Sequence, residues 1–404
     1  MCSKLKNGSI LVLGQAFTSR TETVEDYLRF RCRNLATIAL SGIRQRLWGR
    51  CSLYEKGKPI KVFHLPSFCV PRSSSLSKSF ILFYFLLQPF LSLFYMLRLR
   101  TKSHFAIGIS TFYAFMAILL KRLGFVNHVV YYSIDYYPQH TFMNRLFRAL
   151  DKFCYENSDV VWNLSTAISE TRHNRLGGNL KDQKNIIVPL TYSSKLLTFR
   201  PLEEIERQSI AFIGTLEKLQ GLQLLIKAMP EVLTYLPNVI VKVIGDGPYA
   251  KELKELVSDS GLNEHFHFYG FVKKESDVID VVSRCAVGVA PFIPVPENNA
   301  LTADPGKPKF YAFCGLPIVI TKIPSGLLID KEGAGIAIEY DPHELANAVI
   351  RLLQDARLLA RYRRNANRFA QSYTSERIFR DAFKTTLRCF QEQDLRYSQG
   401  GGYK

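Results

Sequence analysis

The sequence offers few groups that could cross-link the chain or hold a metal ion. Its eight cysteines are scattered, at positions 2, 32, 51, 69, 154, 285, 314 and 389. None forms a C-x-x-C pair, and no histidines gather around them. This spacing argues against a disulfide framework and a zinc site, and it is typical of proteins from a reducing compartment. We therefore expect neither a metal nor another cofactor.

Other absences narrow the class of protein. The N-terminus has too short an apolar run for a signal peptide, and it has no small-residue cleavage site. No repeat of solenoid length stands out. Helix-turn-helix, RNP and zinc patterns are also missing, so we do not expect nucleic acid as a partner.

Acidic residues are scarce in the first half of the chain. Residues 1–200 contain 28 Lys and Arg against 10 Asp and Glu, whereas residues 201–404 contain 25 of each kind. The whole net charge of +18 therefore lies in the N-terminal half. One-sided basic charge predicts an anionic membrane surface or an acidic lipid as a partner, although it also serves solubility.

One stretch, Phe80–Leu97, is long and apolar, with basic residues on both sides. Gln88, Pro89 and Ser92 interrupt it, where they would destabilise a membrane span. We favour a helix that dips into the bilayer interface, with a buried core helix and a true span as alternatives. The expected membrane contacts are Phe80, Phe83, Phe90, Phe94, Arg98 and Arg100.

Strand and helix patterns alternate along the 404 residues, which predicts parallel sheets covered by helices on both faces. The length suits two domains. We predict a Rossmann-like domain over residues 1–190 and a second over residues 203–372. A C-terminal helix, within residues 373–404, would pack back toward the first domain before a flexible tail. In the first domain, the basic pattern over Tyr27–Arg50 predicts a helix.

Residues 291–321, PFIPVPENNALTADPGKPKFYAFCGLPIVIT, are the most informative. They leave an apolar strand, cross a loop rich in Pro and Asn, and enter a short helix, Lys307–Cys314, before a second strand. Such a loop, at the carboxyl end of a strand and before a helix, is where open α/β sheets bind ligands. The free N–H groups of the helix start suit an anionic group such as a phosphate.

This stretch resembles the donor loop of nucleotide-sugar glycosyltransferases of the GT-B fold, close to family 4, in the variant D-P-x-K-x-x-E-Y-x-x-x-G-x-P-V. Two other segments match in the same order. FIGTL at 212–216, with Gly221, resembles the G-x-L…K-G loop, and VIGDGP at 243–248 resembles the G-x-G-P turn. The fold that the resemblance implies is α/β, with two Rossmann-like domains whose parallel sheets face each other across a cleft.

The resemblance also implies a nucleotide-sugar site on the second domain, with a UDP-linked sugar as the expected donor. Without a metal, a lysine and backbone N–H groups can stabilise the departing diphosphate. Lys307 is our first candidate for this role, and a solvated surface lysine is the alternative. Tyr311 could equally be a packing residue. The predicted donor-binding residues are Gly14, Gly214, Thr215, Lys218, Gly245, Asp246, Asn299, Asp304, Gly306, Lys307 and Tyr311.

The sequence departs from the family pattern at four positions. Thr215 and Gln220 stand where Arg and Lys are usual, and Lys218 is a possible substitute. The glutamates that contact the sugar and the ribose correspond here to Thr302 and Phe310. Because both acids are absent, a catalytically silent protein stays open as an alternative.

Asp135 is the candidate catalytic residue, because it follows the strand VVYYSI directly. If transfer inverts the anomeric centre, a carboxylate must deprotonate the acceptor hydroxyl. If transfer retains the configuration, as family 4 implies, the same carboxylate would orient the acceptor or the sugar. His140 is the alternative base, and a plain loop aspartate is the alternative reading of Asp135.

The sequence thus predicts a cytoplasmic enzyme that associates peripherally with the inner face of the plasma membrane. It would transfer a sugar from a nucleotide donor to a lipid-linked or surface-polysaccharide acceptor without a metal. Two alternatives remain. One is a silent GT-B-like protein that binds a membrane or a partner. The other is a sugar-nucleotide epimerase of the same fold, which the basic, apolar N-terminal half argues against.

Overall fold

The computed structural model describes residues 5, 7–15, 19–40, 49–65, 90–91, 93–98, 102–134, 142–176 and 184–400. The chain divides into two compact units. Unit 1 consists of Met1–Pro189 together with Ser375–Lys404, and unit 2 is Leu190–Thr374. The chain therefore leaves unit 1 once, builds all of unit 2, and returns to unit 1.

Unit 1 is built on an eight-stranded sheet with the order β4-β3-β2-β1-β5-β6-β7-β8. The strands are β1 (Ser9–Gln15), β2 (Asn34–Leu40), β3 (Gly49–Glu55), β4 (Lys58–Leu65), β5 (Ser103–Ile109), β6 (Val126–Ser133), β7 (Val160–Asn163) and β8 (Asn185–Ile187). The helices between them are α1 (Ser19–Arg29), α2 (Thr111–Arg122), α3 (Phe142–Asn157) and α4 (Thr166–Leu176). From β2 to β8 neighbouring strands are parallel, as expected for strands joined by helices.

One expectation for unit 1 is wrong. The helix predicted over Tyr27–Arg50 does not form, because α1 ends at Arg29 and Asn34–Leu40 is a buried strand. A short apolar run that is covered on both faces lacks the alternation that separates a strand from a helix.

The predicted parallel sheet is confirmed, with an antiparallel addition at one edge. Lys56 and Gly57 both have positive φ, and this tight turn makes β3 and β4 an antiparallel hairpin at the sheet edge.

Unit 2 is built on a six-stranded parallel sheet with the order β11-β10-β9-β12-β13-β14. The strands are β9 (Glu206–Ile213), β10 (Ile240–Ile244), β11 (Phe266–Gly270), β12 (Cys285–Ala290), β13 (Ile318–Thr321) and β14 (Gly335–Ile338). The helices are α5 (Leu222–Tyr235), α6 (Ala250–Asp259), α7 (Glu275–Ser283), α8 (Gly306–Phe313), α9 (Pro324–Lys331), α10 (Pro342–Gln354) and α11 (Ala356–Ser372). From β9 the chain adds β10 and β11 on one side and then crosses to add β12, β13 and β14 on the other, so chain order reverses between β9 and β12. Sheets of this kind bind ligands at the carboxyl ends of the strands near such a switch point.

The last helix, α12 (Ser375–Gly400), packs on unit 1. Phe383 lies against Trp162, with 5.0 Å between ring centroids, and Phe390 stacks on His128 at 4.3 Å. The indole N–H of Trp162 donates to Thr386 Oγ1 at 2.9 Å. The helix therefore supplies part of the core of unit 1, although it follows all of unit 2 in the chain.

Only residues 90–91 and 93–97 of the predicted membrane helix belong to the described part, and they are helical. Met96 faces the core, while Phe90, Phe94 and Leu97 are 71%, 50% and 54% exposed. Among the described residues, no helix combines the length and the apolar character needed to cross a membrane.

Candidate functional site

A cavity of about 410 Å³ opens at the carboxyl edge of the sheet in unit 2. Its walls come from the ends of β9 and β10, the segment after β11, the first turn of α7 and one side of α8. Both its place and its volume are typical of small-molecule sites. The lining residues are Ile213, Gly214, Thr215, Ile244, Gly245, Asp246, Phe271, Val272, Lys273, Glu275, Val278 and Phe310.

Two glycines let the loops of this edge approach one another. Gly214 and Gly245 have φ of +124° and +135°, where residues with a side chain are strained. A Cβ atom on Gly245 would lie 1.9 Å from the carbonyl oxygen of Gly214. A Cβ atom on Gly214 would lie 3.3 Å from Cε of Lys307. Glycine is therefore required where the two loops and the lysine meet.

The N–H groups of these two glycines are already engaged. The N–H of Gly214 donates to the carbonyl of Ile244 at 3.0 Å, and that of Gly245 donates to Gly270 at 2.8 Å. Gly214 therefore contributes space for a ligand rather than a free donor. At the start of α8, Pro308 removes one of the N–H groups expected there, and no side chain caps the helix.

Lys307 is the distinctive group of the site. Its side chain is buried, and Nζ has no hydrogen-bond partner among the described residues. The ammonium lies 3.9 Å from the ring centroid of Phe212 and 5.0 Å from that of Phe292. Burial lowers the pKa of Lys307 from 10.5 to about 7. Lys307 is thus no solvated surface lysine, and an anion next to Gly214 would supply the partner that its charge lacks.

Lys309, two residues further on, has the opposite environment. Its Nζ lies 2.5 Å from Oδ2 of Asp304 and donates to the carbonyl of Leu190 at 3.0 Å. The same Asp304 oxygen accepts from the N–H of Leu190 at 2.6 Å. Burial lowers the pKa of Lys309, while Asp304 opposes that change. Asp304, a predicted donor ligand, is therefore committed to holding its loop against the first residue of unit 2.

Tyr311 is a core residue in this structure. Its hydroxyl donates to the carbonyl of Val289 at 3.1 Å and accepts from the N–H of Ile213 at 2.9 Å. The side chain is fully buried, and burial raises its pKa well above the ordinary value. The interpretation of Tyr311 as a packing residue is therefore correct, and the one that has it bind the donor is not. Tyr311 joins the ends of β9 and β12 and is not part of the cavity lining.

The other predicted donor-binding residues divide into two groups. Thr215 and Asp246 line the cavity and are exposed, whereas Lys218 and Asn299 are exposed but do not line it.

Gly306 packs closely, since a Cβ atom there would lie 2.8 Å from Leu190 and 3.0 Å from the Tyr192 hydroxyl. The hydroxyl of Thr302 donates to the carbonyl of Asn299 at 3.4 Å. Phe310 is an apolar wall of the cavity.

Sequence reasoning missed the side of the cavity that follows β11. Phe271, Lys273 and Glu275 line it, as does Val278 on α7. The available signal was the position of GFVKKE directly after a predicted strand, at the same sheet edge as the glycine loops. The segment that follows this predicted strand carries no motif that would have singled it out.

Comparison with known proteins agrees with this geometry. Residues 207–355 match the family described as "Glycosyl transferases group 1". A GDP-mannose-dependent alpha-(1-6)-phosphatidylinositol monomannoside mannosyltransferase from Mycolicibacterium smegmatis is 26% identical over 161 residues. This alignment covers 38% of the chain and 41% of that protein, so the matched part spans about two fifths of the relative.

Two solved structures extend the likeness to nearly the whole chain. HepE from Anabaena, solved in complex with UDP and glucose, superposes with a TM-score of 0.63 at 16% identity, over 94% of this chain and 99% of HepE. The N-terminal domain of a trehalose-6-phosphate phosphatase from Candida albicans gives 0.70 at 11% identity, over 96% and 98%. The chain has the GT-B fold, and residues 207–355 resemble the group 1 glycosyltransferases. At these identities, the structural likeness shows the fold alone.

In this GT-B protein, the predicted catalytic residues Asp135 and His140 lie outside the described residues, as do Phe80, Phe83 and Arg100. Gly14, near the end of β1, faces α1, because a Cβ atom there would lie 2.5 Å from Oγ1 of Thr21. Its assignment to the donor stays a prediction. Within the described ranges, no group of three or more His, Cys, Asp or Glu side chains could hold a metal ion.

The carboxyl edge of the sheet in unit 1 holds a buried charge network. Arg172 forms an ion pair with Asp151 at 2.9 Å and donates to Asn163 Oδ1 at 2.5 Å and to the hydroxyl of Ser133. Burial alone would raise the pKa of Asp151, but the guanidinium groups of Arg172 and Arg175 lower it below its usual value. The network fixes the ends of β6 and β7, and it sets two guanidinium groups against one carboxylate.

Proposed function

We propose that the chain is a glycosyltransferase that transfers a sugar from a nucleotide-sugar donor, UDP-linked, to an acceptor hydroxyl. The observation that carries the proposal is the buried ammonium of Lys307, which lies next to Gly214 at the carboxyl edge of the unit 2 sheet and has no hydrogen-bond partner in the described ranges. HepE, which shares the fold, was solved with UDP and glucose. The mannosyltransferase relative is named as GDP-mannose-dependent, so GDP is the competing nucleotide.

Lys307 would act on the leaving group. During transfer, the bond between the anomeric carbon and the diphosphate oxygen breaks, and the acceptor oxygen bonds to the same carbon while its proton is removed. Negative charge grows on the diphosphate, and a cation fixed in a poorly solvated site stabilises it more than water would. Asp135 and His140 stay the candidates for handling the acceptor proton.

Calorimetric titration of the full chain with UDP and GDP tests this proposal, with Lys307→Ala as the variant. We expect one nucleotide to bind to the wild type and the variant to lose at least tenfold in affinity, since hydrogen bonds to charged groups contribute about 1.5–3 kcal/mol. Lys227→Ala is the matched control, because Lys227 is exposed on α5 in the same unit. Equal affinity in all three proteins would contradict the assignment of Lys307.

We also propose that transfer needs no divalent metal, with Lys307 supplying the positive charge. Turnover of UDP-sugar should then be unchanged when EDTA is added to the purified enzyme. A loss of activity that Mg²⁺ or Mn²⁺ restores would contradict this proposal, even if nucleotide binding depends on Lys307 as expected.

The proposed acceptor is lipid-linked, or a growing surface polysaccharide, and the proposed location is cytoplasmic, at the inner face of the plasma membrane. Three observations support it. The excess of basic residues lies in the N-terminal half. Phe90, Phe94 and Leu97 form an exposed apolar stripe, with the Arg98 guanidinium 5.6 Å from the Phe94 ring centroid. The mannosyltransferase relative is named for a phosphatidylinositol-based substrate.

Vesicle co-sedimentation tests the membrane part separately. The chain should bind vesicles that contain anionic lipid more tightly than neutral ones, and added salt should weaken this binding. Phe94→Ser should lower the bound fraction, whereas Leu395→Ser, at an equally exposed leucine on α12, should not. Binding that ignores both lipid charge and Phe94 would contradict the proposed surface.

A silent GT-B-like protein is the second candidate. Thr302 and Phe310 stand where the resemblance places two acids, and the structure gives Phe310 a packing role against Tyr192, at 5.9 Å between ring centroids. Nucleotide binding without transfer or hydrolysis of any UDP- or GDP-sugar, in the presence of membranes, would favour this candidate.

A further inference from the structure

The donor cavity contains a carboxylate that no described residue engages. Two acids line the cavity, Asp246 and Glu275. Oδ1 of Asp246 accepts from the N–H of Gly247 at 2.8 Å. Across the part of the chain that the structure describes, no hydrogen bond or ion pair engages the side chain of Glu275. Glu275 therefore has all of its acceptor capacity available to a molecule in the cavity.

An aromatic ring stands at the same cavity with its surface uncovered. Phe271 follows β11 and is 78% exposed, the highest value among the large apolar side chains that the structure describes. Leaving such a ring in water is unfavourable, because burying it would contribute roughly 1.5–3 kcal/mol. A free aromatic face at the wall of a cavity suits a planar ring, and stacking of this kind accepts any nucleobase.

The groups in and beside the cavity are of the kinds that a nucleoside diphosphate needs. Lys307 lies behind the lining residue Gly214, where an anion would be neutralised. Phe310, one helical turn after Lys307, lines the cavity but offers no polar atom. Glu275, which also lines the cavity, begins α7, where the helix dipole favours an ionised carboxylate. Besides the place for a diphosphate, the cavity therefore offers a donor a carboxylate on α7 and the ring of Phe271.

We infer that Glu275 and Phe271 recognise the nucleoside of the donor. The carboxylate of Glu275 accepts hydrogen bonds from the ribose hydroxyls, and the ring of Phe271 stacks on the base. The inference rests on the proposed donor site, and it moves ribose recognition from the α8 position of Phe310 to the first turn of α7. It explains how this chain can bind a nucleotide without an acid at 310.

Nucleotides that lack ribose hydroxyls test this inference. UDP, GDP and their 2′-deoxy and 3′-deoxy forms would be titrated into the wild type, Glu275→Gln, Glu275→Ala and Phe271→Ala. Glu264→Gln is the matched control, since Glu264 is exposed in unit 2 and lies outside the cavity lining. Thermal unfolding of each variant would show that it is folded.

We expect the wild type to prefer the ribose form over at least one deoxy form by about tenfold, as for a hydrogen bond to a charged group. Glu275→Ala should bind the ribose and deoxy forms equally, and Glu275→Gln, which keeps one acceptor oxygen, should show a smaller preference than the wild type. Glu264→Gln should keep the full preference. Phe271→Ala should weaken all forms by a similar factor, because stacking does not involve the hydroxyls.

A preference that survives in both Glu275 variants would overturn the role of Glu275, and undiminished affinity in Phe271→Ala would overturn the role of Phe271. In either case, Lys307-dependent binding by the wild type would leave the proposed function intact. If Glu275→Gln instead changes only the relative affinity for UDP and GDP, the carboxylate reads a base edge and the ribose assignment is wrong. Failure of the wild type to bind any of these nucleotides would overturn the inference together with the donor site.

Discussion

At the scale of single residues, Lys307 couples ligand binding to a proton. Its pKa is about 7 in the free protein, so above pH 7 the side chain is mostly neutral. A bound diphosphate favours the charged form and raises this pKa, so binding above pH 7 must take up a proton. We predict that nucleotide affinity falls as the pH rises from 7 to 9, by up to tenfold per unit.

Calorimetry in two buffers with different ionisation enthalpies would measure the proton uptake directly. Lys307→Met should bind more weakly and should lose the pH dependence over this range. A wild-type affinity that stays constant from pH 7 to 9 would mean that Lys307 does not change its charge on binding.

The burial of Lys307 also lowers the free energy of unfolding of the protein when no ligand is bound. The pKa of Lys307 is lower in the folded state, about 7, than the ordinary 10.5, so protonation favours unfolding. The resulting destabilisation is complete below pH 7 and fades as the pH rises toward 10.5. We predict that Lys307→Met raises the free energy of unfolding at pH 6.5 by about 2 kcal/mol, as expected when an unpaired buried polar group is removed.

Urea unfolding at pH 6.5 and 9.5 checks this, with exposed Lys227→Met as the control. The stabilising effect of Lys307→Met should shrink at the higher pH. A variant that is destabilised at both values would show that Lys307 has a partner in the free protein.

At the scale of elements, the loop after β9 depends on a close approach as well as on its backbone conformation. Gly214 has φ of +124°, and a Cβ atom added to it would lie 3.3 Å from Cε of Lys307. Gly261 has φ of +67°, but open space surrounds it. We predict that Gly214→Ala costs more stability than Gly261→Ala, whose cost should be about 1 kcal/mol from strain alone.

Nucleotide titration separates the two variants further. Gly214→Ala should lose at least tenfold in affinity, since the methyl group occupies the space beside Lys307, whereas Gly261→Ala should bind as the wild type does. Equal affinity in both variants would place the diphosphate away from Gly214.

Most of unit 2 could be predicted from the sequence, because four of its six strands, β9 to β12, end at or directly before a glycine or proline. The helix predicted over Lys307–Cys314 is observed one residue earlier, as Gly306–Phe313, and the strand predicted after it is β13, Ile318–Thr321. The strand Asn34–Leu40 could not be told from a helix, since burial on both faces removes the alternation. The hairpin after it depends on a turn whose residues, Lys56 and Gly57, form no strong turn motif.

The candidate site was predictable only in part. Lys307 was found through its place at a helix start after a strand, but its lack of a partner is a tertiary property. Tyr311 and Asp304 also follow the motif, yet their partners are distant in sequence: the N–H of Ile213 and that of Leu190. Glu275 belongs to no motif, so only the folded structure brings it to the cavity.

At the scale of the whole molecule, the two units should lose structure independently when the packing of α12 is weakened. Phe383 contacts Tyr27, Phe105 and Trp162, all in unit 1. We predict that Phe383→Ala destabilises unit 1 by about 3–5 kcal/mol, the usual range for a buried phenylalanine. Nucleotide binding by unit 2 should be retained at temperatures where unit 1 of the variant has already unfolded.

Unfolding followed by Trp fluorescence and, in parallel, by nucleotide binding would separate the two transitions. Both tryptophans, Trp48 and Trp162, belong to unit 1. Leu395→Ala, at an exposed position of the same helix, is the control. Simultaneous loss of both signals in Phe383→Ala would mean that the units unfold as one.

The return of the chain to unit 1 also sets an order of events during protein synthesis. When the ribosome has made Pro189, the surface that receives Phe383 and Phe390 is complete but has no helix to cover it. The covering helix follows the 185 residues from Leu190 to Thr374, a delay of roughly 10–40 s at ordinary elongation rates. All residues of unit 2 are synthesised before that helix. The nascent first unit must therefore wait, with Trp162 uncovered, for the last part of the chain, and this interval is when it most needs a chaperone.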